Sequence, residues 1–221
     1  MNRLLSAPGF FVMLLAMIGL VGATSTSGQH MHLIIFHGGN ATAHWVNLGK
    51  LRGADGFAIL LQTNAQNEAG GYAGIEISGV SGMTLSQLDH LGFAANVTSN
   101  AYGHPAFGAG APRFTIILSN GVVLFPDPFY CSDVSGTPLN TWASFDVVTD
   151  PNCIVYGSTG GPMTWSQVLS AYGDVPISQL FIIQDDSPAT VYIRHIVVGD
   201  TWLSFPWMNG LNGYCASFIT C

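Results

Sequence analysis

Seven histidines stand out in a chain with so few ionisable groups. Four of them, His30, His32, His37 and His44, lie early. On an extended strand His30 and His32 project to the same side, which is the spacing a shared metal would need. Cleavage just before His30 would leave an N-terminal histidine able to brace a copper ion. Gln29 is a poor cleavage site beside Ala23, however, and neither a metal nor a cofactor is expected. Glycoside hydrolysis requires two carboxylates facing each other across a cleft. The chain has two glutamates, Glu68 in a turn-forming cluster and Glu76 on the solvent side of an alternating strand. Asp127, Asp133, Asp150, Asp185 and Asp186 fall in turns, where Asp caps its own backbone. Gly79-Val80-Ser81-Gly82 lacks the spacing of a nucleophile elbow and reads as a turn. No catalytic constellation is expected.

Two long loops carry a different chemistry. Ser99 to Pro112 presents Tyr102, His104 and Phe107 among small residues, and Pro126 to Asn140 presents Phe129, Tyr130 and Asp133. Exposed aromatic faces stack on the CH groups of pyranose rings, and polar neighbours read the hydroxyls. Tyr102, His104, Phe107, Tyr130 and Asp133 are therefore the candidate ligand-binding residues. Trp45, Trp142, Trp165 and Trp202 sit in strand or helix patterns and are expected in the core. The four cysteines allow three disulfide connectivities. Sequence proximity favours Cys131 with Cys153 and Cys215 with Cys221. The chain has no C-x-x-C pair, so disulfides are expected rather than zinc. Asn40-Ala41-Thr42 and Asn96-Val97-Thr98 are glycosylation sequons. Asn96 lies within a predicted strand and must face solvent to be modified.

The elements that must position these residues follow from hydrophobic period. Residues 1–23 read as a secretion signal, with Asn2-Arg3, an apolar run from Phe10 to Val21, and the small exit Val21-Gly22-Ala23. Kept uncleaved, the leader would instead anchor the chain in a membrane. Residues 24–31 form a polar linker, and 32–221 a single domain. Hydrophobic residues make up 48% of the chain and charged residues 8%, against roughly 25% charged in an average soluble domain. That composition excludes disorder. Five residues are basic, of which Arg3 lies in the leader, leaving four against 12 acidic and a formal charge of −8. A nucleic-acid partner needs a basic surface to replace phosphate counterions, so that class is excluded.

Thr164 and Gln167 form a T-x-x-Q capping box ahead of Trp165, Val168, Leu169 and Tyr172, one face of a short helix at about 165–172. Gly173 supplies its stop. Strands are predicted at 33–36, 44–48, 57–62, 73–77, 91–98, 113–118, 122–125, 142–148, 180–183 and 191–198. Ser119-Asn120-Gly121 marks a hairpin. Ten short strands with one helix imply an all-β protein, an antiparallel jelly-roll sandwich. The tail from Trp202 to Cys221 is too aromatic to float free.

Residues 72–198 resemble the galactose-binding-like and carbohydrate-binding-module jelly rolls. The similarity lies in Tyr72-Ala73-Gly74-Ile75-Glu76-Ile77, in Pro112-Arg113-Phe114-Thr115-Ile116-Ile117 and in Val191-Tyr192-Ile193-Arg194-His195-Ile196-Val197-Val198. Arg194-His195 stands where such modules often carry Asp followed by Asp or Asn. That Asp often helps hold a structural calcium, so the resemblance carries no calcium site over. It implies a secreted or cell-surface, non-catalytic protein that binds a polysaccharide or glycan. An alternative follows from the apolar run Leu33-Ile34-Ile35-Phe36 next to the linker. Such a strand could complete a neighbour's sheet, making the chain a self-assembling subunit of a surface layer or filament.

Overall fold

The computed structural model describes residues 30–49, 56–64, 71–100, 107, 112–185 and 188–203. The leader, most of the linker, Tyr102, His104, Asp186, Cys215 and Cys221 lie outside the described residues. Among those described, one sheet has the order β1 (His32–Gly38), β4 (Tyr72–Ser78), β11 (Ile177–Gln184), β6 (Arg113–Leu118), β7 (Val123–Asp127), β9 (Ile154–Gly157), β10 (Pro162–Thr164). The other has β2 (Thr42–Asn47), β3 (Phe57–Thr63), β12 (Ala189–Val198), β5 (Leu91–Ser99), β8 (Trp142–Asp146), with β13 (Thr201–Leu203) beside β12. All the pairings are antiparallel.

Eight of these strands close the jelly roll. β3 pairs with β12, β4 with β11, β5 with β8 and β6 with β7, so the chain folds on itself as four nested ribbons distributed over two sheets. The predicted strands correspond to β1–β8, β11 and β12. β9, β10 and β13 are additional.

Alternation decides which side chains fill the space between the sheets. Ala73, Ile75 and Ile77 of β4 are at most 1% exposed, as are Val191 and Ile193 of β12 and Phe114 and Ile116 of β6. At the centre Phe93 and Phe145 from one sheet meet Phe114 from the other. Ring centroids lie 5.1 Å apart for Phe93–Phe114 and 4.7 Å for Phe93–Phe145, both edge to face. Phe107 joins them 6.1 Å from Phe145 and is 2% exposed. This corrects its assignment as a ligand-facing loop residue: the ring is spent on the core.

The helix α1 (Trp165–Tyr172) forms where the capping box places it. The Thr164 N–H donates to Gln167 Oε1 at 2.8 Å, and the Gln167 N–H to Thr164 Oγ1 at 3.4 Å. Trp165 and Val168 are buried beneath it. Gly173 is right-handed (φ −54°) and its N–H still donates to Leu169 O, so it does not stop the helix by a left-handed turn. Pro176 lies just beyond, and the residue before a proline is driven out of helical geometry. A second T-x-x-Q box, Thr84 to Gln87, caps a short 3-10 turn at the same end of the sandwich, where the Ser86 N–H donates to Gly173 O.

β1 pairs with β4 of its own chain along its whole length, from His32 opposite Ser78 to Gly38 opposite Tyr72. β1 thus completes its own chain's sheet as an edge strand, and the strand-donation alternative is not supported.

The Phe93 ring is the test of this core. Truncation by Phe93→Ala should lower the unfolding free energy by about 3–5 kcal/mol, measured by chemical denaturation. A loss below about 1 kcal/mol would show that the two sheets do not depend on the cluster.

Candidate functional site

The first sheet ends in a rigid aromatic platform. β7 leaves the sheet at Asp127, whose Oδ1 accepts the Phe129 N–H at 3.0 Å and so caps the 3-10 turn Pro128–Tyr130. Pro128 presets the first dihedral of that turn. Phe129 and Tyr130 are 38% and 43% exposed, with rings edge to face 5.2 Å apart. Tyr130 also lies 6.4 Å from Tyr156 of β9. The next residue, Cys131, is disulfide-bonded to Cys153 at the foot of β9, as sequence proximity suggested. The platform is therefore tied on both sides, through β7 and through the bridge. Asp150 tightens the clasp by accepting the Ser132 N–H, the Ser132 hydroxyl at 3.1 Å and the Asn152 N–H at 2.9 Å. Asp133 is exposed on the turn that follows.

The Tyr156 hydroxyl is pushed up to about 12, first by the neighbouring Tyr130 hydroxyl, then by burial and by the negative charge of Asp127. It stays protonated at neutral pH and can act as a donor. Burial raises the Asp127 carboxyl, against the opposing pull of the Phe129 N–H and of Arg113. Arg113 itself grips Asp185 with two bonds of 2.7 and 2.6 Å, and its guanidinium lies 5.7 Å from the Phe125 ring centroid. Asp185 is thus an ion-pair partner and not a turn cap.

A second set of aromatic and polar side chains lies on the outer face of the other sheet. His44, Leu60, Tyr192, Asn96 and Trp142 stand in one row across β2, β3, β12, β5 and β8. The Arg194 guanidinium sits 4.0 Å over the Trp142 ring. A bulge in β12 follows Arg194, with His195 left-handed at φ 51°. Burial, and then the charge of Arg194, lower the His195 pKa. Trp142 is half-buried on this outer face and Trp202 is 49% exposed, so neither is the core residue expected. Trp165 is buried, and Trp45 packs half-buried against the core. Asn96 is 0% exposed, so its amide is closed to glycan transfer and the expectation of a glycan there is corrected. Asn40 is exposed in the turn between β1 and β2.

The groups considered for metal or acid–base work are placed apart. His32 is held by Ser78, with Nε2 and Oγ 2.7 Å apart, and its Nδ1 lies 3.3 Å from the His30 carbonyl. Glu76 is half-buried on the outer face between Ile34 and Phe181. Cys131, Asp150 and Cys153 bring three potential ligand atoms within 4.8 Å of one another. The two sulfurs are bonded to each other and Asp150 is filled by its three donors, so this group is a structural clasp. Gly79 to Gly82 is a turn, closed by the Met83 N–H donating to Val80 O at 3.0 Å. His90 and Asp146 pair at 2.6 Å, a contact that sequence spacing did not suggest. Among the described residues, no helix is long and apolar enough to cross a membrane.

Fold and platform together define a jelly-roll β-sandwich with aromatic groups displayed outside its core. No protein-family model matches the chain, and no curated protein matches it. Among solved structures it is similar to the family 11 carbohydrate-binding module of cellulosomal cellulase Lic26A-Cel5E of Clostridium thermocellum. That similarity has 14% identity and a TM-score of 0.41, covering 73% of this chain and 83% of that one. It is also similar to a beta-1,2-glucanase from Parabacteroides distasonis (11% identity, TM-score 0.39, 76% of this chain, 23% of that one). An exo-beta-agarase gives 13% identity and a TM-score of 0.40, covering 79% of this chain and 24% of that one.

Asp127 offers a direct test of the platform's electrostatics. A carboxyl raised by burial in the fold holds its proton more tightly than in the unfolded chain. It therefore costs stability as pH rises above the ordinary carboxylate range. Asp127→Asn keeps the cap acceptor and removes the charge. We expect stability at pH 7 to be unchanged or higher, and the fall in stability between about pH 4 and pH 7 to shrink. Denaturation midpoints at those two values check it.

Proposed function

We propose that this chain is a non-catalytic, extracellular module that binds carbohydrate. The observation that carries the reading is the exposed Phe129–Tyr130 pair, fixed in place by the Asp127 cap, the neighbouring Tyr156 ring and the Cys131–Cys153 bridge. An aromatic face held still before the ligand arrives loses little conformational entropy on binding. Stacking on a pyranose ring then needs only modest polar help, from the Tyr156 hydroxyl and the exposed Asp133 carboxylate. Tyr102 and His104 remain candidate ligand contacts in this reading. The ligand is a polysaccharide of the cell surface or extracellular matrix.

Three features support export. Residues 1–23 have the charge and hydropathy pattern of a secretion signal. The Cys131–Cys153 bridge suits an oxidising compartment. Asn40 presents an accessible sequon.

Affinity electrophoresis against a panel of soluble polysaccharides is the test. We expect retardation on at least one, with a loss of about 5- to 30-fold for Tyr130→Ala. No retardation on any polysaccharide, or none lost in Tyr130→Ala, would overturn the assignment. For the exported chain, an endoglycosidase should remove a glycan that Asn40→Gln abolishes and Asn96→Gln leaves in place. Mass spectrometry reads the difference.

A further inference from the structure

The outer face of the second sheet contains polar atoms that the fold does not satisfy. Asn96 is 0% exposed, and among the described residues neither its Nδ2 nor its Oδ1 has a hydrogen-bond partner. Trp142, directly opposite it across the β5–β8 ladder, buries an Nε1 that also has none. Strand parity puts the two on one face, because Phe93, Ala95 and Val97 point into the core and leave the even positions of β5 outside. Two donors and an acceptor are thus buried at one register position. Buried polar groups left unpaired cost free energy, and native folds retain few of them without reason.

The surroundings look like a closed site. Along the adjacent row, Arg194 stands opposite Ala94 of β5, which is small and 6% exposed. The guanidinium stacks 4.0 Å above Trp142, two strands away. The β12 bulge and the left-handed His195 immediately follow it, and bulges re-aim side chains in this way. Arg194 therefore occupies the face of the tryptophan that stands opposite Asn96.

We propose that the Arg194–Trp142 stack is a lid over a second carbohydrate position. The sugar ring would take the guanidinium's place on the Trp142 face, and its hydroxyls would complete the Asn96 amide and the indole N–H. The chemistry selects a neutral polyhydroxy ring. A cation would meet the Arg194 charge, and the atoms left over, two donors and one acceptor, are themselves uncharged. A hydroxyl both donates and accepts, which matches the mixed set of atoms left over. This position and the Tyr130 platform lie on the outer faces of opposite sheets. One molecule with both filled would hold two separate glycan strands. The inference takes its ligand class from the function proposed above, but its residues are distinct.

Isothermal titration of soluble oligosaccharides from a polysaccharide that retards the protein separates the two. In a Tyr130→Ala background, we expect residual binding that Arg194→Ala strengthens about fivefold and Asn96→Leu abolishes. Asn96→Leu is nearly isosteric and removes unpaired atoms, so its denaturation midpoint should hold or rise, whereas a purely structural asparagine would lower it. If Arg194→Ala leaves residual binding unchanged or weakens it, the lid is wrong. If Tyr130→Ala alone, with or without Arg194→Ala, removes all binding, the second position is wrong and the platform stands. If neither the intact chain nor Arg194→Ala binds any oligosaccharide, both readings fall.

Discussion

The edge-to-face contact of Phe93 and Phe145 with Phe114 is what the rest of the sandwich depends on. These rings come from facing sheets, and their quadrupoles favour the tilted geometry they adopt. Once they interdigitate, side-chain parity is fixed along β5, β6 and β8, and through the ladders along β12 and β3 as well. A slip of one residue would turn Phe93 outward and bring Asn96 into the core. The position of every outer-face group, including Tyr192, Arg194 and Trp142, is thus a consequence of the apolar choice made inside.

Charge is so scarce that the use of each arginine is informative. Among the described residues the basic side chains are Arg113 and Arg194, one on the outer face of each sheet. Each lies against an aromatic ring, Arg113 near Phe125 and Arg194 over Trp142. Arg113 is also locked to Asp185 in a two-bond fork, a geometry that guanidinium supports and ammonium does not. The two faces differ in consequence. Arg113 braces the sheet beside the Tyr130 platform, where Asp127 feels its charge. Arg194 rests over a tryptophan bordered by the buried amide of Asn96.

Much of the fold was legible because period carries it. The alternation Ala73, Ile75, Ile77 gave β4, and the Thr164–Gln167 box gave α1 at its observed bounds. β9, β10 and β13 escaped because each is only three or four residues long, too short for a period to show. β10 moreover opens on Pro162 after two glycines. At the candidate site the exposure of Tyr130 was legible from its place in a long loop. Phe107 was not, because a lone aromatic in a Gly-rich loop carries no parity to say which way it turns. Trp142 was misread for the opposite reason. Its strand is clear, but type alone assigned it to the core, whereas its pairing with Asn96 puts it outside.

Asn96 shows where a local motif and a three-dimensional constraint part. As a triplet, Asn96-Val97-Thr98 asks for an exposed amide. Parity grants half of that, since position 96 points away from Phe93 and Val97. Outside the sandwich is nevertheless not the same as exposed. On the second sheet Ala58 and Ala94 are nearly inaccessible although they point outward, and on the first Ile117 and Ile183 are 6% and 4% exposed. The outer faces are therefore partly closed layers in their own right, packed with aliphatic and aromatic side chains. That packing accounts for a composition of 8% charged residues in a two-sheet protein, because a sheet with only one buried face would need polar residues at every second position. Within such a layer a polar group is either paired, as Arg113 is with Asp185, or, like the Asn96 amide, left without a partner among the described residues.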